Sequence, residues 1–568
     1  MHDLVIRGGL IVDGTGSAPY RGDVAVRDGR LAEVGGKAGA AARELSAEGA
    51  IVTPGFVDIH THYDAQISWD PYLTPSSWHG VTSVVMGNCG IGFAPARPKD
   101  RDWLIGLMES VEEIPRASLR EGIRWEWESF PEFMDALARS RPAIDIGAQV
   151  PHAALRAYVM GERGAANQPA TADDLRDMSR LVREGMLAGA LGFTGTRTAN
   201  HRSFEGVDAP GYGVDTLEVT TLAKAAGAAG VGGLIGFVLD YVDVDQEIAW
   251  LRRLQRECGL PVWTNLVQTY DAPEKYAAVL ERMTQAGAAG EQMYGQSPGR
   301  PLGGLLGLTS SRNPFMMHPS YKEIAHLPLK ERVSKLRDPV FRARLLSEKV
   351  EADTEVFRTI TGRYSRMFRL GDPPDYEPPF EKSVEAMAKT KGVTPAEMVL
   401  DIMLERNGEE LLFTPLASYA DGDHQAIMAM LQHPHAFLGL GDAGAHVART
   451  CDAATPSFML THWARDRRRG PTLKLEDVIR LQTSRTASIF GLNDRGVLAT
   501  GKKADLNVID FAGMRLRPPE MLYDFPGKAR RLVQRADGYI ATVVSGEPIF
   551  ENGSATGAMP GALIRGTR

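Results

Sequence analysis

The sequence predicts an α/β protein: a (β/α)8 TIM barrel, a small β-sandwich domain formed from both termini, and a long, mainly helical insertion between strands 7 and 8. Three features lead to this prediction. The chain opens and closes with strand-like segments separated by glycine turns. Between them, apolar runs of about five to eight residues alternate with helical stretches of about ten to sixteen, which is typical of parallel strands and crossover helices. One connection in that alternation is far longer than the others.

The two ends of the chain have the alternating pattern of antiparallel hairpins with Asp-Gly turns. The candidate strands are residues 4–14, 23–34, 539–546 and 548–553. A strand-only start and a strand-only finish predict that residues 1–53 and 496–568 pair into one β-sandwich domain.

Residues 54–495 contain the alternation of the predicted barrel, as a chain of 568 residues can hold one large domain and a smaller one. The predicted barrel strands are residues 55–62, 81–86, 144–150, 189–195, 233–239, 261–267, 291–295 and 437–441. The intervening helices fit as well, since Thr171 can cap a helix with Asp174 three residues later, ahead of an apolar face. In such a barrel the chemistry lies at the carboxyl ends of the strands.

The insertion is predicted at residues 297–410, between the seventh and eighth strands. This connection is rich in proline and is too long for an ordinary loop, which indicates a functional segment or a subdomain. We predict a mainly helical lid that covers the barrel mouth.

The composition argues against several classes of function. The net charge is -7, and no basic cluster is interleaved with aromatic residues, so we expect no nucleic-acid partner. Three cysteines cannot form a disulfide framework, which fits a reducing cytosol. The sequence shows no secretory signal and no apolar run of about 18 residues, so we expect a cytoplasmic protein without a membrane partner. Barrel proteins commonly form closed assemblies, and we therefore predict a homo-oligomer.

His60 and His62 are the central candidates for a metal site. In a strand, side chains two residues apart share a face, so both imidazoles point the same way and supply half of a zinc or similar site. Cys89 ends the second predicted strand between glycines, where a thiolate can bind zinc. Asp442 ends an apolar strand, where a carboxylate must be paired or bound to metal. Two pocket histidines, a small buried cysteine and a helix-capping aspartate are the alternatives, and all three at once would be a coincidence.

Further polar residues follow the predicted strand ends or lie in the insertion. We predict that they contact substrate: Arg197, His201, Asn265, His318 and His446. The guanidinium of Arg197 can bind a substrate carboxylate through two hydrogen bonds, and His201 or His318 can donate to an oxyanion. For each residue alone, a solvated or hydrogen-bonded loop position is the more frequent case.

Four motifs together resemble the amidohydrolase superfamily, and within it the D-aminoacylase (N-acyl-D-amino-acid deacylase) branch. They are Thr53-Pro-Gly-Phe-Val-Asp-Ile-His-Thr-His62, Gly87-Asn-Cys-Gly90, Gly441-Asp-Ala-Gly444 and Gly496-Val-Leu-Ala-Thr-Gly-Lys-Lys-Ala-Asp-Leu-Asn-Val-Ile-Asp510. The resemblance spans nearly the full chain. It implies a metal-bearing barrel with a small β-sandwich, zinc on the two histidines, a cysteine in place of the bridging carboxylated lysine, and a general-base aspartate on strand eight.

The chain departs from that branch at two places. The family carries further metal-binding histidines at the ends of strands five and six, where this sequence has Phe237 or a neighbour, and Asn265 or Leu266. No lysine ends strand three or four. We therefore expect one zinc ion on His60, His62, Asp442 and Cys89, with a second ion or another divalent metal left open.

The predicted function is hydrolysis of an amide or similar C–N bond, namely deacylation of an N-acyl amino acid of either D or L configuration. In this reading a metal activates water and Asp442 acts as general base and then as general acid. One alternative is a hydrolase of cyclic amides, carbamates or peptide-like natural products. Another, from a different class, is a catalytically silent member of the same fold that serves assembly.

Overall fold

The computed structural model describes residues 1–202, 206–350 and 362–566 of the chain. Within this part the structure is mixed α/β, as predicted. Residues 351–361 of the predicted insertion and residues 567–568 of the predicted terminal domain lie outside the described residues. No described helix is both long enough and apolar enough to cross a lipid bilayer.

The described strands are numbered along the chain. They are β1 (His2–Ile11), β2 (Tyr20–Arg27), β3 (Arg30–Val34), β4 (Ala41–Ser46), β5 (Ile51–Pro54), β6 (Phe56–Asp58), β7 (Val81–Met86), β8 (Asp145–Ala148), β9 (Val150–Pro151), β10 (Gly192–Arg197), β11 (Leu234–Leu239), β12 (Val262–Asn265), β13 (Met293–Ser297), β14 (Leu302–Leu306), β15 (Phe368–Arg369), β16 (Leu412–Ala417), β17 (Ala436–Leu438), β18 (Leu506–Ile509), β19 (Arg515–Leu516), β20 (Glu520–Phe525), β21 (Ala529–Val533), β22 (Ala536–Asp537), β23 (Tyr539–Val544), β24 (Glu547–Glu551) and β25 (Ser554–Ala555).

The described helices are numbered in the same way, and a π-helical segment at Met459–Asp466 follows α16. They are α1 (Arg101–Glu112), α2 (Arg116–Gly122), α3 (Phe130–Arg139), α4 (His152–Met160), α5 (Glu162–Ala165), α6 (Ala172–Leu187), α7 (Thr216–Gly227), α8 (Val244–Cys258), α9 (Lys275–Ala288), α10 (Pro319–Ile324), α11 (Leu329–Arg337), α12 (Pro339–Ser347), α13 (Val384–Lys391), α14 (Pro395–Met403), α15 (Gln425–Gln432), α16 (Thr455–Phe458), α17 (Leu475–Gln482) and α18 (Ser484–Ile489).

Two parallel sheets form the centre of the described structure. One has the order β6-β7-β8, and the other has the order β9-β10-β11-β12-β13-β17. Gln149 alone separates β8 from β9, and its backbone N–H donates to Met86 O of β7 at 3.0 Å. At the other end, Thr61 beyond β6 forms a parallel bridge with Ala443 beyond β17. All eight predicted parallel strands are confirmed, with bounds that differ by a few residues.

The predicted helix after Thr171 is confirmed as α6. Thr171 Oγ1 accepts a hydrogen bond from Asp174 N at 3.2 Å, and Asp174 Oδ2 accepts one from Thr171 N at 2.8 Å. This reciprocal pair satisfies amide groups that the first helical turn leaves without partners. Met178 and Val182 are buried on the predicted apolar face.

The two ends of the chain meet in one mixed sheet. Its order is β25-β24-β23-β18-β5-β1-β2-β3, and β4 also pairs with β1. The predicted hairpins β1–β2 and β23–β24 are antiparallel. The parallel pairing of β1 with β4 and β5 differs from the hairpin pattern, because turn residues specify only the pairing of consecutive strands. The exact bounds of a terminal domain stay a prediction.

The terminal sheet and the first central strand meet at Gly55. Gly55 directly follows β5, and β6 begins at the next residue. The backbone N–H of Gly55 donates to Asp505 O at 2.9 Å. A Cβ atom at position 55 would lie 2.2 Å from Thr82 Oγ1, which leaves no space for a side chain. The chain therefore passes from β5 into β6 without a linker.

The segment between β13 and β17 contains α10 to α15, and a mainly helical insertion at residues 297–410 stays a prediction. It also contains an antiparallel sheet of order β14-β16-β15, which proline content and length did not predict. Because β16 ends at Ala417, this sheet extends past the predicted boundary at residue 410. Leu305 N of β14 donates to Arg449 O at 2.8 Å, which ties the segment to the loop after β17.

The indole of Trp263 fills the interior beside β11 and β12. Trp263 is fully buried, and its ring contacts the edge of the His60 ring at a centroid distance of 6.0 Å. A Cβ at Gly236 would lie 2.2 Å from Cε2 of this indole. Phe237 instead packs against Trp250 of α8. A glycine and a tryptophan thus share the interior space at strands five and six.

Replacing Gly236 with alanine is expected to lower the free energy of unfolding by about 1–3 kcal/mol, because the added methyl overlaps the fixed indole. Equilibrium denaturation of the purified protein measures this change. Gly39→Ala is the control, since a Cβ there would meet only His2 Nε2, at 3.8 Å. Equal stability of the two variants would show that Trp263 can move aside.

Candidate metal centre

His60 and His62 follow β6 and are almost completely buried. Backbone contacts with both neighbouring strands fix this segment: Thr61 N donates to Val85 O at 3.1 Å, and His62 N donates to Ala443 O at 2.8 Å. The two rings are tilted, with centroids 5.5 Å apart. The end of β6 thus brings both imidazoles to the same place, and their role as metal ligands stays a prediction.

Gln296 of β13 sets the orientation of His60. Its Oε1 lies 2.5 Å from His60 Nδ1 and, as an amide oxygen, accepts the N–H of that nitrogen. This contact leaves His60 Nε2 free to face the centre, where it lies 3.4 Å from Cys89 Sγ. An acceptor behind a metal-binding histidine fixes its tautomer and ring orientation in this way.

Cys89 lies in a tight turn directly after β7. Its φ of 57° is unusual for a residue other than glycine, and the flanking Gly87 and Gly90 also have positive φ values. A Cβ at Gly87 would lie 2.3 Å from Gln149 O, so the turn is packed against the next strand. Asn88 completes it, since its Nδ2 donates to Val85 O at 2.9 Å. This turn delivers the thiol to the histidines.

Asp442 lies beyond β17 with a φ of 44°. Its Oδ1 is 3.0 Å from His60 Nε2 and 3.7 Å from His62 Nε2. Its side chain keeps 22% of its exposure, whereas both histidine side chains have none. The structure thus brings the four predicted metal ligands together, and Asp442 is the member that solvent reaches.

The pKa values show how strongly these groups interact. Burial alone would raise the pKa of Asp442, but the two histidines hold it well below its usual value. Burial alone would lower the pKa of His60, yet Cys89 and Asp442 raise it to about 10. Asp58, which accepts a hydrogen bond from His60 N, has its pKa raised to about 6 by burial. These directions make Asp442 a carboxylate that faces two protonated histidines at neutral pH, so its low pKa follows from their positive charge.

The chemistry of the donors fits a transition metal. His60, His62 and Cys89 offer ligand atoms that all lie within 4.8 Å of one another. Two imidazole nitrogens, a thiolate and a carboxylate are the ligand types that Zn²⁺ prefers. Neither ring nitrogen of His62 has a hydrogen-bond partner among the described residues, although both are buried. A buried ring of this kind suits a nitrogen that binds metal.

Glu112, the last residue of α1, lies behind His62. It is 2% exposed, and its Oε1 is 3.6 Å from His62 Nδ1. Its Oε2 is 3.9 Å from Nε2 of His446, and the backbone N–H of His446 donates to Glu112 O. The next residue, Glu113, has a φ of 53° and turns its side chain elsewhere.

Two of the predicted substrate contacts have other partners in the structure. Arg197 donates to Val214 O at 2.8 Å and lies over the Trp250 ring at 5.2 Å. Asn265 pairs with the end of β11, where its Oδ1 accepts from Leu239 N at 2.7 Å and its Nδ2 donates to Leu239 O at 3.1 Å. Neither contact involves the donor cluster, so their geometry does not support the predicted substrate roles.

The three predicted histidines differ in position. His446 contacts Glu112 and also lies with Nδ1 3.0 Å from Glu113 Oε2. His201 Nδ1 forms a hydrogen bond with Thr196 Oγ1 at 2.8 Å. Burial lowers the pKa of His201, the charge of Glu112 raises it, and the charge of His62 lowers it further. His318 precedes α10 and packs against Phe315 in the insertion. Two of the three thus lie near the donors, and their roles stay predictions.

Gln296 and Glu112 are neighbours of the site that the sequence reading did not identify. Gln296 had one recognisable signal, a polar side chain at the carboxyl end of a predicted strand. Glu112 had another, because acidic residues at a helix C-terminus are unfavourable for the helix dipole and two of them end α1 together. Both signals are weak without the fold.

A second cluster of possible metal ligands lies elsewhere, at Glu377, His424 and His462. Here the carboxylate already receives two hydrogen bonds from the buried Arg467, at 3.0 and 3.2 Å. His424 Nε2 donates to Tyr376 O at 3.0 Å, and its Nδ1 lies 3.0 Å from His462 Nε2. Because the Glu377 carboxylate and the ring nitrogens of His424 already have partners within the protein, we interpret this cluster as a buried ion-pair network.

Comparison with known families and proteins places the chain among hydrolytic enzymes. A model of the Amidohydrolase family matches residues 43–550. The chain is 36% identical to an N-acyl-D-glutamate deacylase of Alcaligenes xylosoxydans xylosoxydans over 230 residues, which are 40% of this chain and 42% of the relative. It is 35% identical to the D-aminoacylase of the same organism over 193 residues, 34% of this chain and 37% of the relative. An uncharacterized protein of Mycobacterium tuberculosis is 28% identical over 604 residues, with 98% and 93% covered.

Solved structures give the same fold. A D-aminoacylase studied for its binuclear metal centre matches with a TM-score of 0.65 at 23% identity, and each chain is covered completely. The N-acyl-D-glutamate deacylase of Bordetella bronchiseptica, solved with zinc and a phosphonate inhibitor, matches with a TM-score of 0.64 at 22% identity, with 99% of each chain covered.

Proposed function

The chain belongs to the Amidohydrolase family, and on that premise we propose that it is a zinc-dependent hydrolase that removes the acyl group from N-acyl amino acids. The family and the deacylase relatives support a hydrolase that acts on C–N bonds. The N-acyl amino acid substrate, its D configuration and zinc are our proposal. The single observation that carries it is the convergence of His60, His62, Cys89 and Asp442.

His60 and His62 would hold the metal through Nε2, with Cys89 and Asp442 as further ligands. A bound divalent metal supplies two effects, since it lowers the pKa of a water molecule from about 15.7 to about 7 and polarises the substrate carbonyl. Asp442 is the proposed general base, because it is ionised at neutral pH and its side chain reaches solvent. It accepts the proton of the attacking water and returns it to the leaving nitrogen.

The names of the relatives support the substrate class. D-aminoacylase and N-acyl-D-glutamate deacylase act on N-acyl amino acids of D configuration, as their names state. The resemblance leads one to expect two further metal-binding histidines at the ends of strands five and six. Here Phe237 packs against Trp250 and Asn265 pairs with Leu239, so we propose that one zinc ion is bound.

We also propose that the two parallel sheets close into a (β/α)8 barrel. The Thr61–Ala443 bridge and the link through Gln149 support closure on both sides. The domain limits proposed from the sequence are residues 1–53 with 496–568 for the terminal domain, 54–495 for the barrel and 297–410 for the insertion. A homo-oligomer stays a prediction.

A substrate panel tests the proposed reaction. Purified zinc-loaded protein is expected to release free amino acid from N-acetyl or N-formyl amino acids, as measured by amine detection with D and L isomers in parallel. Hydantoins, carbamates and dipeptides are assayed beside them. A His60→Ala/His62→Ala double variant, purified identically, shows whether the activity belongs to this protein. Turnover of ring substrates alone would contradict deacylation, and a protein that turns over no panel member would favour the assembly alternative.

A further inference from the structure

Glu112 is a buried carboxylate that has no role in the proposed reaction. Its Oε1 has no hydrogen-bond partner within the described ranges, and the residue is 2% exposed. Burying a carboxylate costs free energy unless the charge is paired. The helix dipole adds to that cost, because Glu112 ends α1. A specific partner for Oε1 would offset both costs.

His62 provides that partner. Its Nδ1 is buried, lacks a hydrogen bond within the same described ranges, and lies 3.6 Å from Glu112 Oε1. Its Nε2 faces the opposite way, toward Asp442 Oδ1 at 3.7 Å. His60 has the same arrangement in completed form, with Gln296 Oε1 on Nδ1 and the donor cluster on Nε2. Each histidine therefore has one acceptor behind it and one nitrogen turned to the centre.

We propose that Glu112 is a positioning residue that accepts the Nδ1–H of His62 and thereby directs Nε2 of His62 toward Cys89 and Asp442. This inference rests on the proposed function, because it concerns the binding of the metal. The observed separation exceeds a normal charge-assisted hydrogen bond by about 0.8 Å, a distance that a small ring rotation closes. A carboxylate on the rear nitrogen fixes the tautomer and makes the front nitrogen a stronger donor.

The surrounding contacts hold Glu112 in place for this role. The backbone N–H of His446, in the loop after β17, donates to Glu112 O. The positive φ of Glu113 turns that neighbouring carboxylate away, toward Arg312 Nη2 at 2.6 Å and Arg449 Nη2 at 2.8 Å. Glu113 thus pairs with two arginines and with Nδ1 of His446, whereas Glu112 Oε1 faces His62, so Glu113 provides a matched control.

Zinc affinity is the measurement that tests this inference. The full-length apoprotein is titrated with zinc against a chelator of known affinity, and the Co²⁺-substituted protein gives the electronic spectrum of the site. We expect the zinc affinity to fall about 10-fold in Glu112→Gln, which keeps an acceptor oxygen, and about 100-fold in Glu112→Ala. Glu113→Gln is expected to stay within about twofold of the wild type, because its partners are arginines and His446.

A second readout follows the proposed hydrogen bond itself. In the Co²⁺ protein, the Nδ1–H protons of ligand histidines give exchangeable, strongly shifted NMR signals, and we expect one of them to exchange with water faster in the Glu112 variants. Folded Glu112→Gln protein with wild-type zinc affinity and an unchanged Co²⁺ spectrum would overturn the inference and leave the proposed function standing. Wild-type protein that binds neither metal would overturn both. If Glu112→Ala does not fold, Glu112→Gln decides the outcome.

Discussion

Asp442→Asn is expected to lower kcat/KM by about a thousandfold, within the range of about 10² to 10⁴ that general acid–base catalysis contributes. The carboxylate lies 3.0 Å from His60 Nε2, and the histidines hold its pKa well below the usual value. Asparagine keeps the size and one acceptor oxygen but cannot take up a proton near neutral pH. Steady-state kinetics on the best N-acyl substrate of the panel measures the loss.

The zinc content of the same variant separates the two roles of Asp442. If zinc is retained at the wild-type level, the loss reports proton transfer, and if zinc is lost, it reports metal binding. Asp466→Asn is the control, because Asp466 is exposed and pairs with Arg465 on the surface. Wild-type turnover by Asp442→Asn would contradict the assignment of the base.

Removal of the metal is expected to lower activity to about one percent or less, because ordinary water has a pKa of about 15.7 and is a poor nucleophile at neutral pH. Dialysis against a chelator should release about one equivalent of zinc per chain, since the donors form one cluster. Adding one equivalent of Zn²⁺ should restore turnover. Elemental analysis and kinetics on the same samples make this measurement.

The stoichiometry also tests whether a second ion binds without histidines at the ends of strands five and six. Restoration that requires two equivalents would contradict the single-ion proposal. A buffer-dialysed sample without chelator is the control for losses on handling. Protein with less than about a tenth of an equivalent of metal that hydrolyses N-acyl substrates undiminished by chelator would refute the metal-dependent mechanism altogether.

Much of the fold could be read from the sequence because its signals are local. Apolar runs between amphipathic helices gave the eight parallel strands, and the capping pair at Thr171 and Asp174 gave the start of α6. The sheet β14-β16-β15 could not be read in this way. Its strands come together over a long stretch of chain, and residue pattern carries no information about such pairing.

The site divides in the same way. One residue separates His60 from His62, so strand geometry alone predicts that their side chains point the same way. Cys89 and Asp442 follow predicted strands whose carboxyl ends meet at the same rim. Glu112 ends a helix and contacts His62 only because α1 packs beneath the loop after β17. Arg197 shows the reverse case. Its position at a strand end indicated the site, whereas its guanidinium packs against Trp250.

The direct passage from β5 through Gly55 into β6 links the terminal sheet to the segment that carries the histidines. Five residues, 55–59, separate the end of β5 from His60. The hydrogen bond from Gly55 N to Asp505 O joins the first and last parts of the chain at this point. A chain cut back to residues 54–495 would keep all four donor side chains and lose the support that sets their alignment. The terminal sheet therefore helps to fix the position of the strand that carries the two histidines.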